Sequence, residues 1–193
     1  MISINKLILF LQTIFLSFLF TNTVLANLQE NLINKFVTTK TLSFNFKQKI
    51  AEKEEVGNCF IKYPLLMKCN YKNFKQKTVI SNGTTVAIIK KKYKKIYYYP
   101  IENTPLFTIL NKEKILNLIK NNKPSLVGSN LIEYELSNKK NKLKLFFDKK
   151  TFEFKGWETV DAYSNEVSFL IDNIKINNQI VDNFFKIPKE EDL

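Results

Sequence analysis

The spacing between hydrophobic residues changes along this 193-residue chain, and each change of period marks a new kind of element. Leu7–Phe20 is almost wholly apolar. Leu28, Leu32, Ile33, Phe36 and Val37 then fall at helical spacing and predict a short amphipathic helix. From Leu42 the period is two: Leu42, Phe44 and Phe46 alternate with Ser43, Asn45 and Lys47, as in a half-buried strand. Cys59, Ile61 and Tyr63 alternate with polar or outward residues, and so do Met67, Cys69 and Tyr71 beyond Pro64. Two strands joined at Tyr63-Pro64-Leu65 would carry both apolar sets on one face. Symmetric pairing about Pro64 would set Cys59 opposite Cys69.

Strand patterns continue at Thr78–Ile80 and Thr85–Ile89, on either side of Asn82-Gly83, a dipeptide suited to a tight hairpin turn. Lys95–Tyr99 is a further strand, stopped by Pro100. Between Thr104 and Asn122 the pattern is helical, with Thr104 as cap, Pro105 in the first turn and an apolar face of Leu106, Ile109, Leu110, Ile115, Leu116 and Ile119. Strands return at Leu131–Leu136, Lys142–Phe147, Phe152–Val160, Val167–Ile176 and Phe184–Ile187. The expected class is mainly β with α: a strongly curved antiparallel sheet or incomplete barrel under a small helical cover. No repeat or linker divides residues 27–193, so one domain is expected there.

The apolar run near the start reads as a secretory signal over residues 1–26. It follows Lys6, is too short for a spanning helix, and ends in Val24-Leu25-Ala26. Export is therefore expected, and the absence of a cysteine just after Ala26 argues against acylation of the new amino terminus. The chain carries +12, and removing Lys6 leaves +11 for residues 27–193. Every positive residue is lysine. Base readout and bidentate phosphate binding lean on arginine, so no nucleic-acid partner is expected. Lys90–Lys92 and Lys94-Lys95 read as a solvated hairpin tip, although a basic surface also favours anionic membranes.

The usual catalytic groups are missing. There is no histidine, the two cysteines are ten apart rather than in C-x-x-C, and no G-x-S-x-G or phosphate-cradling glycine loop occurs. Glu133, Glu135 and Asp148 read as solvated charges. Neither enzymatic activity, a metal nor a cofactor is expected. For Cys59 and Cys69 two readings stand: a cross-strand disulfide, permitted outside the cytoplasm, or two apolar reactive residues lining a pocket.

Four ordered stretches resemble the outer-membrane lipoprotein carrier family (LolA), in particular its alphaproteobacterial branch. Ser43–Lys49 is similar to the family's first strand with its F-x-Q ending, and Gly57–Pro64 to its G-x-F-x-x-x-R-P hairpin. Val79–Gly83, Tyr98–Pro100 and Asn103–Leu106 resemble its "S-D-G … Y-P … T-P-L" run, and Trp157–Asp161 with Asn183–Pro188 its closing segments. Tyr63 stands where the family has the arginine implicated in opening and closing the lid, and Cys69 where a large apolar residue is common. A phenol offers one hydroxyl where a guanidinium offers five donors, so the latch must differ here.

The resemblance implies a periplasmic carrier whose partners are lipoprotein acyl chains. An inner-membrane lipoprotein-releasing ABC transporter would load it, and an outer-membrane receptor or the membrane would unload it. A sensor or receptor of the same fold is the alternative, and a monomer is expected. Phe44, Phe46, Ile61, Tyr63, Met67, Cys69 and Tyr71 would line a lipid-binding cavity; Leu32, Phe36, Leu106, Phe107 and Leu110 would belong to the lid. Each could equally be ordinary core. A cavity would leave room for alkyl chains and a core would not.

Overall fold

A computed structural model describes residues 27–137, 142–161 and 164–193. The expected leader over 1–26 lies outside the described residues. Helix α1 covers 27–38. Six strands follow: β1 (Thr41–Ile50), β2 (Lys53–Lys62), β3 (Leu66–Tyr71), β4 (Lys77–Asn82), β5 (Thr85–Lys90) and β6 (Lys95–Pro100). Two helices, α2 (Leu106–Ile109) and α3 (Lys112–Asn121), lead into β7 (Ser125–Val127), β8 (Leu131–Ser137), β9 (Lys142–Asp148), β10 (Phe154–Val160) and β11 (Glu166–Ile176).

The strands form one antiparallel sheet in the order β6-β5-β4-β3-β2-β1-β11-β10-β9-β8-β7. Its two halves join where β1 pairs with β11, and its ends, β6 and β7, do not pair, so the barrel is incomplete as expected. The register shifts between Ser43 and Asn45 against β11, and between Phe154 and Gly156 against β9. Such bulges bend a strand and deepen its twist. Gly156 adopts φ +135°, and a Cβ there would overlap the Phe169 carbonyl. Gly57 lies opposite Phe46, where a side chain would displace the phenyl ring.

Alternation places Leu42, Phe44 and Phe46 of β1 on the inner face, with Cys59 and Ile61 of β2 and Met67 and Cys69 of β3 beside them. Leu145, Phe147, Phe154, Trp157, Phe169 and Ile171 supply the other half of that face. Leu32 and Phe36 of α1, with Ile109, Leu110, Ile115 and Ile119 from α2 and α3, pack onto it. A second, smaller apolar cluster sits elsewhere, where Ile80, Ala87, Ile89 and Ile96 are covered by Ile187 and Leu193.

Three details depart from the sequence pattern. The helical stretch is two helices, because Asn111 breaks from helical geometry and its side chain accepts the Lys114 N–H, starting α3 afresh. Thr104 caps neither helix; its hydroxyl donates to the Ile101 carbonyl. Phe184–Ile187 is not a strand. Asp182–Phe185 makes a 3-10 turn that rests against β3 and β4, with the Phe60 and Phe184 rings 5.0 Å apart. The β6 edge is guarded: Ile96 N–H donates to the Glu190 carboxylate at 2.9 Å, and Pro100 has no N–H.

Candidate functional site

The inner face carries a continuous ribbon of aromatic rings. Trp157 stacks on Phe169 at 4.0 Å and Phe169 on Phe46 at 4.6 Å, while Tyr71 meets Phe46 edge-on at 4.8 Å. On the other side Phe154 stacks 6.0 Å from Trp157 and lies 5.3 Å from Phe147. Such offset and edge contacts add to the value of burial. Trp157, Phe169, Phe147, Phe154 and Tyr134 are not among the expected lining residues. The alternation of Leu143, Leu145 and Phe147, and of Phe169 and Ile171, carries the information that places them.

The structure brings the seven expected cavity residues together on the inner face. Phe44, Phe46, Ile61, Met67 and Cys69 are buried against one another and against the helices; Tyr63 and Tyr71 are partly buried against the same cluster. Leu32, Phe36 and Leu110 of the expected lid are buried there too, and Leu106 and Phe107 are half-buried at its margin. The physical reason is that α1 and α3 lie directly on the sheet, so hydrocarbon fills the interior from above. Larger concavities flank this core. One of about 450 Å³ lies between Pro105, Phe107 and the β8–β10 residues Leu136, Leu143 and Thr159. Another of about 290 Å³ lies near the β1–β2 turn and shares Lys142 and Thr159 with it.

Cys59 stands opposite Cys69 in the β2–β3 register, and their sulfurs are joined in a disulfide. The hairpin turn beyond them touches the helical cover. Leu65 N–H donates to the Leu110 carbonyl at 2.9 Å, and the Tyr63 ring meets Phe36 at 5.6 Å. Lys112 Nζ on α3 donates to the Val37 carbonyl on α1 at 3.0 Å, and the Gln29 amide of α1 reaches the Ile119 carbonyl of α3. The first two of these contacts join the cover to the hairpin and the last two join α1 to α3; the Asn177 amide just beyond β11 also donates to the Thr38 carbonyl of α1 at 3.1 Å. The Tyr63 hydroxyl is buried and finds no hydrogen-bond partner among the described residues, and the same holds for Tyr134. Burial pushes both phenols up, that of Tyr134 to about 12.

The opposite end of the hairpin is closed by polar groups. Tyr71 donates to Gln48 Oε1 at 2.8 Å, Lys77 is bonded to the Glu55 carboxylate, and Asn73 donates to it at 2.7 Å. Lys77 Nζ sits 3.6 Å over the Tyr71 ring. Burial raises the Glu55 carboxyl, but the hydrogen bond and charge of Lys77, the Asn73 amide and the Lys53 charge outweigh it and hold the group below its ordinary value. Lys77 is also lowered, because burial outweighs the help from Glu55. The two ends of the pair point opposite ways about its worth; the Glu55 direction governs the acid range, where that group titrates.

Residues 37–188 match the family model described as outer membrane lipoprotein carrier protein LolA. A search of curated protein sequences returned no match. Among solved structures, an uncharacterized conserved protein from Thermus thermophilus is similar at a TM-score of 0.50 and 10% identity, covering 85% of this chain and 94% of that one. The LolA superfamily protein NE2245 from Nitrosomonas europaea gives 0.44 at 9% identity, covering 84% and 97%. The Pseudomonas aeruginosa MucA/MucB complex gives 0.49 at 10% identity, covering 84% of this chain and 60% of that one, so this chain spans less than two thirds of its length. At 10% identity the likeness to the Thermus thermophilus protein is one of fold alone. Among the described residues, no helix is long and apolar enough to cross a membrane.

Proposed function

This chain belongs to the outer membrane lipoprotein carrier protein (LolA) family, and on that premise we propose that it is a periplasmic carrier for lipoprotein acyl chains. The observation that carries the reading is the large apolar interior, walled by aromatic rings on a curved sheet and covered by helices. Hydrocarbon in water is unfavourable by about 0.8 kcal/mol per methylene, so a lipidated protein needs such a shelter to cross an aqueous space. Loading requires α1–α3 to lift, letting alkyl chains replace the contacts that Leu32, Phe36 and Leu110 make with the sheet. In this reading the interior binds and releases its cargo without altering it.

In this reading an inner-membrane ABC transporter of the lipoprotein-releasing kind loads the carrier, and an outer-membrane receptor or the outer membrane itself takes the cargo. The lysine-rich surface favours approach to anionic headgroups. Purified protein mixed with a diacylated lipoprotein in detergent-free buffer should yield a soluble one-to-one complex on gel filtration and should bind a fluorescent fatty acid. Aggregated lipoprotein and no dye signal would remove the proposal.

A further inference from the structure

The apolar interior holds two polar atoms that its own packing leaves unpaired. Tyr63 Oη, at the β2–β3 turn, and Tyr134 Oη, on β8, are buried with no hydrogen-bond partner among the described residues. Tyr134 as a whole is only 1% exposed. Ring contacts join them in a row: Tyr63 to Phe36 at 5.6 Å, Phe36 to Phe147 at 6.2 Å, and Phe147 to Tyr134 at 6.2 Å. Both tyrosines therefore belong to one row of rings that includes Phe36 of α1. Tyr71 shows the ordinary arrangement by contrast, since its hydroxyl donates to Gln48.

A buried hydroxyl without a partner is less favourable than the hydrogen of a phenylalanine filling the same shape. Buried phenols normally find an acceptor. This chain uses phenylalanine freely, with 17 in all, and places it at both ring positions between the two tyrosines. Ring volume alone therefore gives no reason for the two oxygens. A local rule broken without compensation is expected where a ligand completes the site.

We propose that Tyr63 and Tyr134 donate hydrogen bonds to carbonyl oxygens at the head of bound acyl chains, so that the interior prefers acyl esters to plain hydrocarbon. This rests on the carrier reading and adds a head-group preference to it. When the cover lifts and chains displace Phe36 from between the rings, an ester carbonyl supplies the acceptor that the closed form lacks. The raised phenol values keep both groups as O–H donors throughout the neutral range.

The test uses the whole exported protein and two probes that differ only at the carbonyls: a fluorescently tagged dipalmitoylglyceryl peptide and its dihexadecyl ether counterpart. Dissociation constants are measured for the unsubstituted protein, Tyr63→Phe, Tyr134→Phe and the double variant. The expected result is an ester preference of about fivefold or more in the unsubstituted protein, cut about threefold by each substitution and abolished in the double variant. Ligand-free variants should melt no lower than the unsubstituted protein. Equal binding of ester and ether by the unsubstituted protein, or a preference surviving in the double variant, overturns the proposal while leaving the carrier reading intact. A lower melting point in the ligand-free variants also overturns it, by showing that the hydroxyls have partners in the protein. Binding of neither probe overturns both readings.

Discussion

Two apolar surfaces of this sheet are covered by segments of its own chain, and the covers are fastened differently. Over Ile80, Ala87, Ile89 and Ile96, the C-terminal segment lays Ile187 and Leu193 and secures itself with charged groups. Asp182 pairs with Lys62 at 2.6 Å, the Phe184 carbonyl accepts from Lys68, and Glu190 accepts the edge N–H of β6. Over the much larger inner face, the Leu65–Leu110 bond and the bond from the Asn177 amide to the Thr38 carbonyl tie the helices to the strands, and the Lys112–Val37 and Gln29 bonds join α1 to α3, while two buried hydroxyls find no partner among the described residues. An ion pair and a carboxylate help fasten the small cover, whereas backbone carbonyls accept each of these bonds at the large one. In the proposed carrier, the inner cover is the one that must leave.

The largest test of that contrast is Phe185→Ala within the C-terminal segment. Phe185 is 1% exposed, and removing its ring should lower stability in urea by about 3–5 kcal/mol without changing lipid affinity in the folded protein. A parallel loss of lipid binding would show that the two covers are coupled, and would break the comparison. A smaller effect is expected at the polar end of the inner face. The folded Glu55 carboxyl lies below its ordinary value of 4.5, so its contribution is full above that pH and is lost as pH falls through the depressed folded value. Glu55→Gln should cost about 1–2 kcal/mol at pH 7 and flatten the acid limb of the stability profile; an unchanged acid limb would show that the pair does not hold this end closed. The smallest stability change should come from Lys112→Ala, under about 1 kcal/mol for a tie this exposed. Its effect should instead appear as several-fold faster release of a bound fluorescent fatty acid in stopped flow. Unaltered release would mean that this tie does not hold the cover.

Much of the inner face is readable without any coordinates. Leu42, Phe44 and Phe46 alternate with polar residues because successive strand side chains point to opposite faces, and all three are buried. The symmetry about Pro64 puts Cys59 opposite Cys69, the register found in β2–β3. Other features mislead. Phe184, Phe185 and Ile187 look like strand residues, but the two phenylalanines lie in a 3-10 turn that rests against β3 and β4. Asn111 hides inside a helical period that it interrupts, and only its capping bond reveals the break. The role that family likeness gives to position 63 is a polar latch; here the phenol oxygen bonds to none of the described residues, and the neighbouring Leu65 backbone makes the tie.

Local pattern by itself determined the mainly β class, the strand faces and the apolar character of what the helices cover, because periodicity needs no knowledge of distant partners. Tertiary structure alone decided that β1 joins β11, that the helices bury the inner face, and that two buried hydroxyls lack a partner among the described residues. Those depend on which remote segments meet and at what distance, and residue spacing along a chain carries no record of either.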